Sequence, residues 1–312
     1  MFKRCRTFRI YRSLWRCGVN ILVTGANGQL GKELQTLVRN KQNSIQHNFF
    51  FTDRNELDIT DKKSIENYLA KEKLSAIINC AAYTAVDKAE EERELADRIN
   101  HKAVEILANS AKEHDIPLIH ISTDYVFDGT NCKPYKETDP TNPQNIYGYT
   151  KLKGEEVFLN SGAKGIIIRT SWVYSPFGKN FVKTMLSLAK SKKELRIIYD
   201  QIGSPTYAKD LAKTILHIIQ NPKFTTLRSV EIYHYSNEGV CSWYDFAKAI
   251  FDLQKIDIKV FPIETEEYPA PAKRPHYSVL CKKKIKEDFD IEIPYWRDSL
   301  KECLGRIMSD EL

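Results

Sequence analysis

The chain has 312 residues, 42% hydrophobic and 28% charged, with 47 Lys and Arg against 41 Asp and Glu and a mean hydropathy of −0.45. That profile belongs to a soluble globular protein and excludes disorder, collagen-like repeats and a membrane span: the longest apolar runs are short pieces such as Gly165 to Ile168, against the ~18 residues a spanning helix needs. The surplus positive charge sits in Lys3, Arg4, Arg6, Arg9, Arg12 and Arg16 with no acid among them, so the body is electrically balanced and no nucleic-acid partner is expected.

Residues 1–19 form a basic extension with three readings: an organelle-targeting segment, a surface-binding arm, or a start-site artefact in which the chain proper begins at Val19. The last is favoured, and Arg9, Arg12 and Arg16 break every stretch that could serve as a secretory core. The seven cysteines are scattered and contain no Cys-x-x-Cys pair, and the seven histidines show no metal-ligand spacing. Reduced thiols in a cytoplasmic protein and no transition metal are therefore expected.

From Asn20 the pattern alternates β-rich runs with amphipathic stretches. Strands are expected at Ile21–Thr24, Asn48–Thr52, Ser75–Cys80, Pro117–Ser122 and Gly165–Thr170, with helices over Gln29–Arg39, after Asp61, over Ala89–Glu113 and through Tyr147–Glu156. Apolar strands separated by helix-length segments predict right-handed βαβ units on a doubly wound parallel α/β sheet of Rossmann type. A length of 312 suggests a dinucleotide-binding domain over 20–172 and a smaller α/β substrate-binding domain over 173–312. Later strands within 195–235 are expected to return to the first domain. Helices are expected near Asn180–Lys190, Tyr207–Ile219 and Ser242–Leu253, and a Pro-rich loop over Pro262–Pro275.

Thr24-Gly25-Ala26-Asn27-Gly28-Gln29-Leu30-Gly31 joins the first strand to the first helix. Gly25 permits the tight turn, Gly28 lets backbone N–H groups reach a pyrophosphate, and Gly31 lets helix and strand pack closely. The G-x-x-G-x-x-G spacing differs by one residue from G-x-G-x-x-G. A P-loop is disfavoured because Glu33 stands where Ser or Thr must follow Gly31-Lys32. At the end of the second strand, Asp53 is placed to bond adenine ribose hydroxyls, favouring NAD, or to serve as a turn residue; Arg54 beside it could take a 2′-phosphate. NADH and NADPH both stay open.

Tyr147-Gly148-Tyr149-Thr150-Lys151 sets a phenol and an ammonium four residues apart on one helix face. A neighbouring Lys⁺ lowers a Tyr pKa from ~10 and makes the hydroxyl a usable acid near neutrality. The fourth strand ends in Ser122-Thr123-Asp124-Tyr125-Val126-Phe127, at the carboxyl edge where open parallel sheets bind ligands, and Thr123 offers a hydroxyl there.

With these motifs the chain resembles the extended short-chain dehydrogenase/reductase family, and within it the dTDP-4-dehydrorhamnose reductases, from Asn20 almost to the C-terminus. Further blocks carrying the likeness are Glu56–Asp61, Asn79–Glu90, Arg169–Tyr174, Asp200–Thr206 and Arg274-Pro275. The resemblance implies reduction of the C4 ketone of a dTDP-6-deoxy-4-ketohexose by NADPH or NADH. Tyr147 would protonate the developing alkoxide, Thr123 would bond the same oxygen, and Lys151 would tune Tyr147 and hold the nicotinamide ribose. It further implies Gly28, Gln29 and Leu30 on the pyrophosphate, Asp58 and Ile59 near the adenine, and Ala82, Tyr83 and Thr84 along the cofactor. Asp124 and Trp172 would touch the sugar and Arg274 its diphosphate, although a core Trp172 and a solvated Arg274 are equally consistent with the pattern. Members with Mg2+ and a homodimeric assembly use surface glutamates, and Glu33 lies where one such acid would be. Sugar-nucleotide 4,6-dehydratases carry a Glu where this chain has Tyr125, which argues against dehydration and weakens an epimerase reading. Retention of Thr123, Tyr147 and Lys151 argues against a non-catalytic subunit like the regulatory subunit of methionine adenosyltransferase.

Overall fold

The computed structural model describes residues 18–40 and 47–310; the basic extension before residue 18 lies outside them. Strands β1 (Asn20–Thr24), β2 (Asn48–Thr52), β3 (Ala76–Asn79), β4 (Leu118–Thr123) and β5 (Gly165–Thr170) lie in one six-stranded sheet with Val230–Tyr235. Every pairing in it is parallel. Across the sheet the order is β2, β1, β3, β4, β5, Val230–Tyr235, so it reverses between β1 and β3, the switch point at which doubly wound sheets open a ligand crevice.

Period-two side-chain alternation explains why both faces are covered. Ile21 and Val23 of β1 point to one layer with Ile78, Ile119, Ile166 and Ile168, under helices Gln29–Asn40 and Ala208–Gln220. Leu22 points to the other with Ile77, Leu118 and Ile167, under Lys62–Glu72, Ala103–Glu113 and Ile146–Asn160. Strands apolar on both faces cannot sit at a wetted surface, so the helices must flank both sides. Asp61 caps the helix Lys62–Glu72, Asn180 caps Phe181–Ala189, and Ser242 with Asp245 forms a capping box on Trp243–Leu253.

The expected long helix over Ala89–Glu113 is broken into Val86–Ala89, Arg93–Asp97, a π-helical turn at Arg98–Lys102, and Ala103–Glu113. At the π turn the buried Asn100 side chain bonds the backbone of Tyr83 in both directions, at 2.9 and 3.0 Å. That tertiary bond outweighs helical regularity.

Among the later strands, Val230–Tyr235 pairs with β5 in the main sheet, whereas Glu194–Ile198 pairs with Lys259–Ile263 outside it. A separate apolar cluster gathers Tyr174, Tyr207, Phe246, Ile250, Trp296, Leu300 and Leu304. Segments from both sides of Trp172 thus build the sheet body. No helix among the described residues is long and apolar enough to cross a membrane.

Candidate active site

The first βα turn is shaped by close backbone approach. Gly25 has φ +70°, and a Cβ there would lie 2.6 Å from the Ala81 nitrogen; one on Gly31 would lie 2.4 Å from the Gly25 carbonyl oxygen. Gly28 donates its own N–H to the Gly25 carbonyl at 3.0 Å, so its contribution to a ligand is the space left by its missing side chain. Gln29 and Leu30 then open the helix with N–H groups that precede its first i→i−4 bonds, a ready anion cradle. Beside the turn lies a cleft of about 400 Å³ lined by Gly25, Gly28, Asp53, Arg54, Asp58, Ile59 and Ala82 among others. Its shape and donor set fit the adenosine end of a dinucleotide.

Asp53 is committed locally: its carboxylate accepts from the N–H groups of Asn55 and Glu56 at 2.8 and 3.2 Å and from Asn27 Nδ2 at 2.8 Å. Arg54 is largely exposed and only 3.9 Å from Asp58. Burial raises the Asp58 carboxyl, but bonds from Thr60 and the charges of Arg54 and Arg98 overcome it and leave the group below its usual value. Arg98 also lines this cleft. It was not anticipated, because it sits on the π turn, 45 positions or so from the other adenine-side residues, and no local motif marks it. Tyr83, held by Asn100, bonds Glu92 through its hydroxyl, while Thr84 beside it is exposed.

Asn145 caps the helix Ile146–Asn160 by accepting from Gly148 N–H at 2.8 Å. Gly148 is required because a Cβ would come 2.2 Å from the Tyr125 carbonyl oxygen. This contact holds Tyr147 against the end of β4, where its phenol lies near enough to Thr123 for that side chain to favour its ionised form. Thr123 Oγ1 donates to Asp124 Oδ1 at 3.0 Å and accepts from Tyr125 N–H at 3.2 Å. Asp124 is buried and its Oδ2 has no hydrogen-bond partner. Burial pushes the Asp124 carboxyl up to about 6.

The expected lowering of Tyr147 by Lys151 is not what the geometry produces. Burial pushes the Tyr147 phenol up to about 12, opposed by the neighbouring Thr123 side chain and reinforced by the Asp124 charge. Lys151 instead lies against the sheet, donating to the Ile121 carbonyl at 2.6 Å and meeting His120 Nε2 at 3.3 Å. It is 1% exposed, and burial lowers it to about 8 despite the Glu155 charge. The i,i+4 relation places both groups on one face, but the tertiary neighbours set their protonation.

A second cleft, of about 710 Å³, is lined by Phe181, Arg196, Trp243, Tyr268, Arg274 and His276 among others, all of them from the later half of the chain. Arg274 donates to Asp87 Oδ2 at 2.7 Å and to the Ala272 carbonyl at 3.2 Å, so it is half-buried and positioned, not a loose solvated cation. Trp172 has a left-handed backbone, φ +49°. Its indole stacks on Trp243 at 3.6 Å and abuts Gly203, leaving Trp243 to face the cleft. Gln29 bridges the bodies, bonding the Val173 carbonyl at 3.3 Å and accepting from Asn180 at 2.9 Å.

Glu33, considered as a surface acid for magnesium, is fully buried. Both its oxygens accept from Arg306 Nη1 at 2.8 Å. Its helix turns that position inward beside Leu30, Leu34 and Leu37, so Glu33 is not a surface acid. No cluster of three metal-ligating side chains exists among the described residues.

Comparison with known proteins gives this arrangement its family. The model for the RmlD substrate binding domain matches residues 19–309. The chain belongs to the dTDP-4-dehydrorhamnose reductase family. The enzyme of that name from Aggregatibacter actinomycetemcomitans is 42% identical over 288 residues, 90% of this chain and 97% of the relative. The crystal structure of a Clostridium acetobutylicum dTDP-4-dehydrorhamnose reductase superposes with a TM-score of 0.86 at 43% identity, covering 93% of this chain and 99% of that one. The Bacillus anthracis enzyme, solved in complex with NADP, gives 0.86 at 38% identity over the same shares. The Rossmann-like class and the nicotinamide-dependent oxidoreductase character of this family agree with the sheet order and the glycine turn.

Proposed function

We propose that this protein reduces the C4 ketone of dTDP-4-dehydro-L-rhamnose to give dTDP-L-rhamnose, with NADPH or NADH as reductant, in cytoplasmic nucleotide-sugar synthesis. The carrying observation is the buried Tyr147 phenol beside Thr123 at the carboxyl end of β4, together with a glycine-shaped phosphate turn and a cleft lined by cations. The family membership supports the choice of substrate.

Gln29 and Leu30 N–H groups hold the pyrophosphate, Gly25 and Gly31 keep the turn close, and Asp53, Arg54, Asp58 and Ile59 surround the adenosine. Ala82, Tyr83 and Thr84 line the path to the nicotinamide, whose role is to supply the hydride. Tyr147 gives its proton to the C4 oxygen as negative charge develops there. Thr123, whose hydroxyl proton goes to Asp124 Oδ1 in this structure, would turn that proton to the same oxygen as the ketone binds, adding a second donor where charge develops. A phenol held at about 12 stays protonated at neutral pH, which suits an acid in the reductive direction. Arg274, with Lys273 and Arg196 on the same cleft wall, faces the nucleotide diphosphate, and Asp124 and the Trp172–Trp243 stack border the sugar. Oxidation of NADPH and NADH by wild type and Tyr147→Phe, with dTDP-4-dehydro-L-rhamnose, tests the reading. Tyr147-dependent turnover is expected; wild type that binds cofactor and never consumes it would sink the proposal.

A further inference from the structure

Two guanidiniums on the adenosine cleft are left with their hydrogen bonds unspent. Arg54 follows β2 and Arg98 opens the π turn at Arg98–Lys102, and both line the cleft beside the phosphate turn. Among the described residues neither guanidinium has a hydrogen-bond acceptor. Arg54 comes no nearer to a carboxylate than 3.9 Å, at Asp58, and Arg98 is exposed. Arginines lining other clefts are committed: Arg196 to Glu267, Arg274 to Asp87 and Arg297 to Asp252.

The two free guanidiniums converge on one point. Against the upward push of burial, their charges join the Thr60 bonds in holding the Asp58 carboxyl below its usual value. The π turn is what brings Arg98 there. Asn100, two residues on, is buried and clasps the Tyr83 backbone at 2.9 and 3.0 Å, which pins the turn to the loop after β3, whose Cys80, Ala81 and Ala82 line the same cleft.

The acid that would select the unphosphorylated cofactor is spent. An Asp at the end of β2 favours NADH when its carboxylate grips the ribose hydroxyls. Asp53 already accepts from Asn55 N–H, Glu56 N–H and Asn27 Nδ2, so about one of a carboxylate's four or so lone-pair sites stays open, too few for two hydroxyls. Asp53 and Asp58 balance the two arginines in net charge, so selection at this cleft rests on directed donors, and a phosphate is the group whose oxygens match a guanidinium fork.

We propose that Arg98 and Arg54 together hold the 2′-phosphate of NADPH, so that the π turn selects the phosphorylated cofactor. The proposal rests on the reading of this cleft as the adenosine site and gives Arg98 a part in cofactor choice that no local motif announces.

Isothermal titration of the full chain with adenosine 2′,5′-bisphosphate and with 5′-AMP isolates the 2′-phosphate, since the probes differ in that group alone. The bisphosphate is expected to bind about tenfold or more tighter, the usual worth of a hydrogen bond to a charged group. Arg98→Gln is expected to weaken the bisphosphate and NADPH about tenfold while 5′-AMP and NADH stay within about twofold, and Arg98→Lys, which keeps the charge and loses the fork, to recover part of the loss. Equal affinity of the wild type for the two probes overturns the proposal. So does an equal loss of NADPH and NADH in Arg98→Gln, the mark of a guanidinium stacked on the adenine. Only binding is read, so a chain that selects NADPH and never turns over refutes the proposed reaction and leaves this inference standing, whereas turnover without a preference does the reverse.

Discussion

Arg306→Met isolates the buried pair that joins the phosphate-turn helix to the last helix. Methionine keeps an apolar stem over the Phe177 ring, which the guanidinium carbon approaches at 5.6 Å, and removes the charge. Glu33, with no exposed surface, then loses its bonding partner, and Tyr207 loses a 2.6 Å bond from Arg306. Leaving one member of a buried pair uncompensated costs about 3–5 kcal/mol; with Arg306 a quarter exposed, about 3 kcal/mol is expected. That is a large part of a typical domain's stability and lowers the melting temperature by roughly 6 °C or more.

The loss carries a pH signature. Burial already raises the Glu33 carboxyl above its usual value while Arg306 pulls it back, so removing Arg306 raises it further. A group whose folded pKa exceeds its unfolded one contributes stability in the protonated form, and that contribution fades as pH rises through the folded pKa. The penalty is therefore complete at pH 8 and shrinks toward pH 5. Calorimetry of wild type, Arg306→Met and Arg306→Met with Glu33→Gln at both pH values reads this directly. Equal losses at pH 5 and pH 8, or no recovery in the double variant, would refute the reasoning.

Tyr147→Phe is expected to lose about 100- to 10,000-fold in turnover, the usual contribution of a placed acid, while NADPH titration shows cofactor binding retained. Gly31→Ala forces a Cβ to 2.4 Å from the Gly25 carbonyl; overpacking of about 1–3 kcal/mol and weakened cofactor binding should appear together in melting and fluorescence titration. Arg54→Ala should weaken NADPH about tenfold and leave NADH nearly unchanged if that guanidinium meets a 2′-phosphate, as comparative Kd values will show. Arg274→Ala should raise KM for the nucleotide sugar about tenfold with kcat little changed, measured by steady-state kinetics, because the group contacts a part of the substrate that does not react.

Local pattern determined much of this molecule. The apolar runs of Asn48–Thr52 and Gly165–Thr170 declared strands at their observed bounds, since residues facing apolar layers on both sides leave little choice of element. The glycine spacing declared the phosphate turn, because only missing Cβ atoms permit those approaches, and the four-residue spacing put Tyr147 and Lys151 on one helix face. Charge states and partners were decided elsewhere. Glu33 reads as an exposed helix acid until Arg306, 273 positions away, is folded against it; Arg274 finds Asp87 across 187 positions. Trp172 finds its stacking partner Trp243 only in the folded chain, and Lys151 finds His120 and the Ile121 carbonyl only once β4 is laid beside its helix. Burial and long-range hydrogen bonds set these pKa values and side-chain directions, and neither is written in the spacing of neighbouring residues.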